Sequence, residues 1–93
     1  MQVENVEIYS KATNMAIIRH PGRRFPGVLV QGDTLNGIVS DLKQVLAERN
    51  KLPEDAVGEL EGIYDRLSYM LEHYTLVLRQ NGMELPFPHG SES

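Results

Sequence analysis

From Val57 to Leu78 the residues Val57, Leu60, Tyr64, Leu67, Leu71, Tyr74 and Leu78 recur at alternating three- and four-residue steps, and Ile63, Met70 and Val77 widen the stripe by one position per heptad. That period belongs to an amphipathic α-helix and to no strand. Pro53 sits well at the helix start, because a proline's missing N–H costs nothing in the first turn. Glu54 and Asp55 behind it complement the positive end of the helix dipole. Gly82 is the natural stop. A helix over 53–81 is roughly 43 Å long at 1.5 Å per residue. In a chain of 93 residues so long an apolar face needs a partner surface, either the rest of the chain or another copy.

The remaining segments are shorter. Leu35, Ile38, Val39, Leu42, Val45 and Leu46 form a second helical stripe, predicting a helix from about 35 to 50, with Asp33 or Thr34 capping its free amides. Upstream, Val6 and Ile8 alternate with Glu7 and Tyr9, the period of a half-buried strand. A turn at 11–14 leads to a second strand from Met15 to Arg19, and Val28, Leu29 and Val30 make a third candidate. Strands this short need a helix packed on one face. The expected fold is therefore α+β: a small antiparallel sheet of two or three strands, followed by a helical hairpin with a long second helix. We read one domain over 1–93, strand-rich in 1–32, helical in 33–82, with a tail at 83–93 that docks through Leu85 and Phe87.

Composition narrows the function classes. The chain has no cysteine, which removes disulfide scaffolds, thiolate zinc sites and cysteine nucleophiles together. That suits the cytoplasm, as does an N-terminus whose acids stand where a signal peptide would carry bases. No segment is long and apolar enough to span a bilayer. A formal charge of −4 argues against nucleic-acid backbone binding, which requires a basic surface.

Catalytic and metal signatures are missing. Ser40 lies inside the first helix, and no serine stands in a nucleophile-elbow or Ser/Lys motif. His20, His73 and His89 fall in a loop, a helix and the tail without metal-ligand spacing. An enzyme acting through Asp33 or His73 has no base–nucleophile spacing behind it. We expect no enzyme activity, no cofactor and no metal.

Two charged features remain. The run from Arg19 to Gly27 holds Arg19, Arg23 and Arg24, three of the nine basic residues, with Phe25 and two Pro-Gly steps that mark tight turns. We expect Arg23 and Arg24 to be exposed and Phe25 partly buried beside them. On the long helix, Glu54, Glu61, Asp65 and Glu72 share one polar stripe, with Tyr69 and His73 nearby. Only Arg66 offsets the six acids between Pro53 and Tyr74. Glu61 and Asp65 are like charges at i,i+4, which costs about 0.2–0.5 kcal/mol unless a cation intervenes. Something basic should face this helix. Either Arg19, Arg23 and Arg24 supply it within the chain, or the stripe is solvated, or it mimics an anionic substrate and plugs a basic site on a partner. The basic loop likewise has two readings: a connection that re-aims the third strand, or a set of planar anion contacts with Phe25 as anchor.

The segment Phe25-Pro26-Gly27-Val28-Leu29-Val30-Gln31-Gly32-Asp33-Thr34-Leu35, followed by an amphipathic helix, resembles the strand-to-helix segment of HicB-type antitoxins. The long acidic helix stands where that fold continues with another strand. The wider pattern, Arg-x-Phe-Pro-Gly-Val and Gln-Gly-Asp after a short hairpin, is similar to small bacterial domains of unknown function. The leading expectation is a non-enzymatic bacterial immunity or antitoxin-like protein that neutralises a toxin or effector domain by direct binding. Its partner-binding residues would be Arg19, Arg23, Arg24, Phe25, Glu54, Glu61, Asp65, Tyr69, Glu72 and His73. The alternative is a homodimeric structural or regulatory module, paired through the long helix, that binds a phosphate-bearing ligand with its Arg loop. A homo-oligomer is expected in either case.

Overall fold

The computed structural model describes residues 1–11 and 15–88. Three strands, β1 (Glu7–Ser10), β2 (Met15–Arg19) and β3 (Gly27–Val30), precede α1 (Gly32–Leu46), a single 3-10 turn (Arg49–Lys51) and α2 (Glu54–Gln80). This is the α+β arrangement expected, with three strands rather than two. The sheet is an antiparallel meander in the order β1-β2-β3. Ile18 of β2 stands opposite Ile8 on one side and Gly27 on the other. The β1–β2 register shifts between Ile8 and Ser10, as a bulge does when one extra residue enters a strand. Of the turn expected at 11–14, residues 12–14 lie outside the described residues, as do His89 and the end of the tail.

The helical boundaries differ slightly from the periodicity. α1 starts at Gly32, three residues before Leu35, with Gln31 as its N-cap and no side-chain cap. Asp33 and Thr34 are thus inside the first turn, where the Asp33 carboxylate accepts the Thr34 N–H at 2.9 Å instead of capping from outside. What holds the earlier start is tertiary: a Cβ on Gly32 would lie 2.2 Å from the Tyr74 ring, so α2 closes directly onto the backbone there. At its other end α1 stops at Leu46 rather than 50, because the Arg49 Nε takes the Leu46 carbonyl at 2.9 Å and the connection tightens into the 3-10 turn. Pro53 is the N-cap of α2 rather than its first helical residue, so the helix begins one position later than expected, and the Pro53 carbonyl accepts the Val57 N–H. Gly82 does terminate α2. Its φ is +66°, and the Gly82 N–H to Arg79 and Met83 N–H to Leu78 bonds form the paired closure that a left-handed residue permits.

Packing is uneven. Val39, Leu46 and Leu71 are the buried hydrophobic side chains among the described residues, and all lie in the α1–α2 seam. Gly32 near Tyr74 at one end, and Leu46 beside Tyr64 at the other, make the two helices antiparallel. Leu60, Tyr64, Leu67, Tyr74 and Leu78 are half-buried along that seam, whereas Ile63, Met70 and Val77, which the stripe includes, stay exposed on its flank. The tail docks as expected: Leu85 and Phe87 are half-buried, and the Phe87 ring centre lies 6.4 Å from that of Tyr74. The expectation that a helix covers the sheet is corrected. Strands pack chiefly on strands and helices on helices, and every residue of β3 is exposed. The radius of gyration is accordingly 15.9 Å, against about 12 Å for a compact chain of this length.

Candidate functional site

The seven residues that connect β2 to β3 form a pinned basic loop. The His20 carbonyl accepts the Arg23 N–H at 2.9 Å, closing a turn around Pro21 and Gly22, and the His20 Nδ1 accepts the Gly22 N–H at 3.1 Å. Neither Gly22 nor Gly27 has a positive φ. Pro26-Gly27 is not a second turn either, since Gly27 opens β3. Arg19 holds the loop from below, its Nη1 donating to the Arg23 carbonyl at 3.0 Å.

Arg19 is also paired within the sheet. Its Nε donates to Glu7 across the β1–β2 pair, and Tyr9 donates to the same carboxylate oxygen at 2.8 Å. The two hydrogen bonds, from Arg19 first and Tyr9 second, lower the Glu7 pKa from 4.5 to about 2, and the same bond raises that of Arg19. Arg23 and Arg24 are exposed and form no ion pair with Glu61, Asp65 or Glu72. Phe25 is corrected: it is 72% exposed rather than partly buried, since the concavity around it is lined by loop and strand residues with no helix among them. Arg24 covers one side of its ring, 5.3 Å from the centroid, a cation–π arrangement. Arg23, Arg24, Phe25, Val28 and Leu29 line an open concavity along the loop and β3.

The acidic stripe of α2 divides. Glu61 pairs with Arg49, Nη1 to Oε2 at 3.0 Å, so the like-charge contact with Asp65 has its intervening cation. That cation is neither Arg19, Arg23 nor Arg24. Sequence reasoning missed Arg49, and the signal was available, since a short link between antiparallel helices brings the first residues after α1 beside the second and third turns of α2. Glu54, Asp65 and Glu72 are exposed, and Tyr69 is 74% exposed. Asp65, Tyr69, Glu72 and His73 fall at steps of four, three and one, so the helix places all four on one face, with an aromatic ring amid carboxylates. The loop residues and this face belong to separate elements, and no hydrogen bond or ion pair joins them among the described residues. No group of His, Asp and Glu among the described residues is arranged to hold a metal ion. No described helix is long and apolar enough to cross a membrane.

By sequence the chain belongs to a family of unknown function, DUF6959, whose family model matches residues 1–87. No curated protein and no solved structure matches it.

Proposed function

We propose that the chain is a non-enzymatic bacterial protein of the immunity or antitoxin kind, which neutralises a toxin or effector domain by direct contact and works as a homo-oligomer in the cytoplasm. The observation that carries the reading is the open face of α2, where Asp65 and Glu72 flank Tyr69, 74% exposed. A large exposed aromatic within a field of one charge is the composition of an interface centre, with the ring as anchor and the carboxylates as guides. A basic partner site, such as one that binds an anionic substrate, fits that face. The lack of cysteine suits a reducing compartment. Affinity purification followed by mass spectrometry identifies the partner, and binding kinetics with the isolated partner test the face. Asp65→Lys combined with Glu72→Lys should cut the association rate and shrink its salt dependence while leaving the helical circular dichroism unchanged. Association at the wild-type rate in low salt refutes the face.

One observation favours a second reading. Arg23 and Arg24 present guanidiniums without a carboxylate partner on an open concavity, which suits a phosphate-bearing ligand. Calorimetric titration with inorganic phosphate and a nucleotide, repeated on Arg23→Ala with Arg24→Ala, separates the two readings: heat lost in the variant supports the ligand, and no heat in either protein removes it.

A further inference from the structure

The two edges of the sheet are not alike. β1 carries a register shift, and its charged Glu7 is tied to Arg19, the devices that keep an edge strand from recruiting another chain. β3 has none of them. Its sequence is Gly27-Val28-Leu29-Val30, with no charge and no proline, and it pairs with β2 alone. Val28 is 61% exposed, and Leu29 and Val30 are each 44% exposed. A short apolar strand with one free row of N–H and C=O groups is a template for a further strand.

We propose that β3 pairs antiparallel with β3 of a second copy, giving one six-stranded sheet in the order β1-β2-β3-β3-β2-β1 about a two-fold axis at Leu29. This rests on the self-association included in the functional reading above and adds the surface that performs it. Register follows from symmetry. A two-fold axis perpendicular to the sheet keeps each side chain on its own face, so the axis passes through a residue position and not between two. At Leu29 it sets Leu29 against the partner's Leu29 and Val28 against the partner's Val30, so the three apolar residues of β3 meet only one another, and Gln31 falls against the partner's Gly27, which has no side chain. At Val28 it would set Pro26 against the partner's Val30. At Val30 it would set Leu29 against the partner's Gln31.

Charge selects the same surface. Each copy carries −4, which opposes association over most of the molecule. Antiparallel pairing at Leu29 brings the basic loop before one β3 beside the start of α1 in the other copy, so that Arg24 and Phe25 lie near the partner's Asp33.

The experiment uses the full chain and its lack of cysteine. Light scattering during gel filtration should give the dimer mass, and Leu29→Lys should halve it without loss of helical circular dichroism. Residues directly opposite in an antiparallel pair have Cα atoms about 4.5–5.5 Å apart, within the range of about 4.4–6.8 Å that a disulfide spans. Under mild oxidation Leu29→Cys should therefore link into a covalent dimer faster than Met70→Cys, which places its thiol on the exposed flank of α2. A dimer mass that persists in Leu29→Lys, or faster linking by Met70→Cys, overturns the β3 assignment while leaving self-association standing. A monomer mass for the unaltered chain at every micromolar concentration overturns both.

Discussion

The helical hairpin and the sheet are both rich in apolar side chains but deal with them in opposite ways. α1 and α2 turn theirs toward each other, and the seam between them contains Val39, Leu46 and Leu71, the buried core among the described residues. The strands leave Ile8, Val28, Leu29 and Val30 in solvent and are held mainly by their own ladders and the Glu7–Arg19 pair. The difference teaches that the buried core and the exposed apolar strand surface are divided between the halves. Substitutions in the hairpin seam should therefore cost the fold far more than substitutions on the exposed strand positions.

Truncating the seam is the largest expected effect. Leu71→Ala removes a buried side chain from between two helices, and such changes cost about 2–5 kcal/mol, a large part of a small domain's stability. Ile8→Ala, at an exposed strand position, should cost less than about 1 kcal/mol. Denaturant unfolding of both variants checks the contrast. Equal costs would break it.

A glycine pair gives a smaller contrast of the same kind. Gly82 sits at φ +66° where α2 ends, so Gly82→Ala should destabilise by about 1 kcal/mol. Gly27 begins β3 without positive φ, and an added Cβ meets nothing within 4 Å. Gly27→Ala should then be neutral within about 0.5 kcal/mol by the same unfolding measurement.

Acid should separate the halves by region rather than by total stability. Because Glu7 is held at a pKa of about 2 when folded, below its ordinary 4.5, protonation favours the state in which the pair is broken. The stabilisation from the pair is therefore present above about pH 4.5 and is lost as pH falls through the folded value near 2. Amide exchange at Ile8 and Tyr9 should speed up over that window relative to exchange at Leu71. Glu7→Gln should remove this pH dependence.

Legibility in the sequence followed the range of the interaction. α2 was readable because its three- and four-residue steps repeat the same message over many turns, and the Gly82 stop is decided within five residues of chain. The start of α1 was misplaced because Asp33 and Thr34 offered local caps, whereas the turn is set by Gly32 meeting Tyr74 from α2, a contact that spacing along the chain does not encode. The site shows the same split. Tyr69 among Asp65 and Glu72 followed from helical phase alone, while the partner of Glu61 was Arg49, across the connection between helices. Alternation in the strands told which side chains could be covered, and was silent on whether a helix arrives to cover them. That silence is why Phe25 was expected to be partly buried.

The smallest expected effect on stability, and the sharpest on the division of labour, is Arg23→Ala combined with Arg24→Ala. Both side chains are exposed without an ion pair to α2, and the loop is pinned by the Arg23 backbone, whose N–H and C=O are bonded to His20 and Arg19. Alanine keeps that backbone. The unfolding free energy should therefore change by no more than about 0.5 kcal/mol. A loss of 1 kcal/mol would move the melting temperature of so small a domain by about 4–8 °C, so a scan resolves the question readily. A drop of that size would mean that the guanidiniums hold the sheet together, and the basic loop would then belong with the seam as a structural element. An unchanged melting temperature leaves the charge on Arg23 and Arg24 with no role in holding the fold.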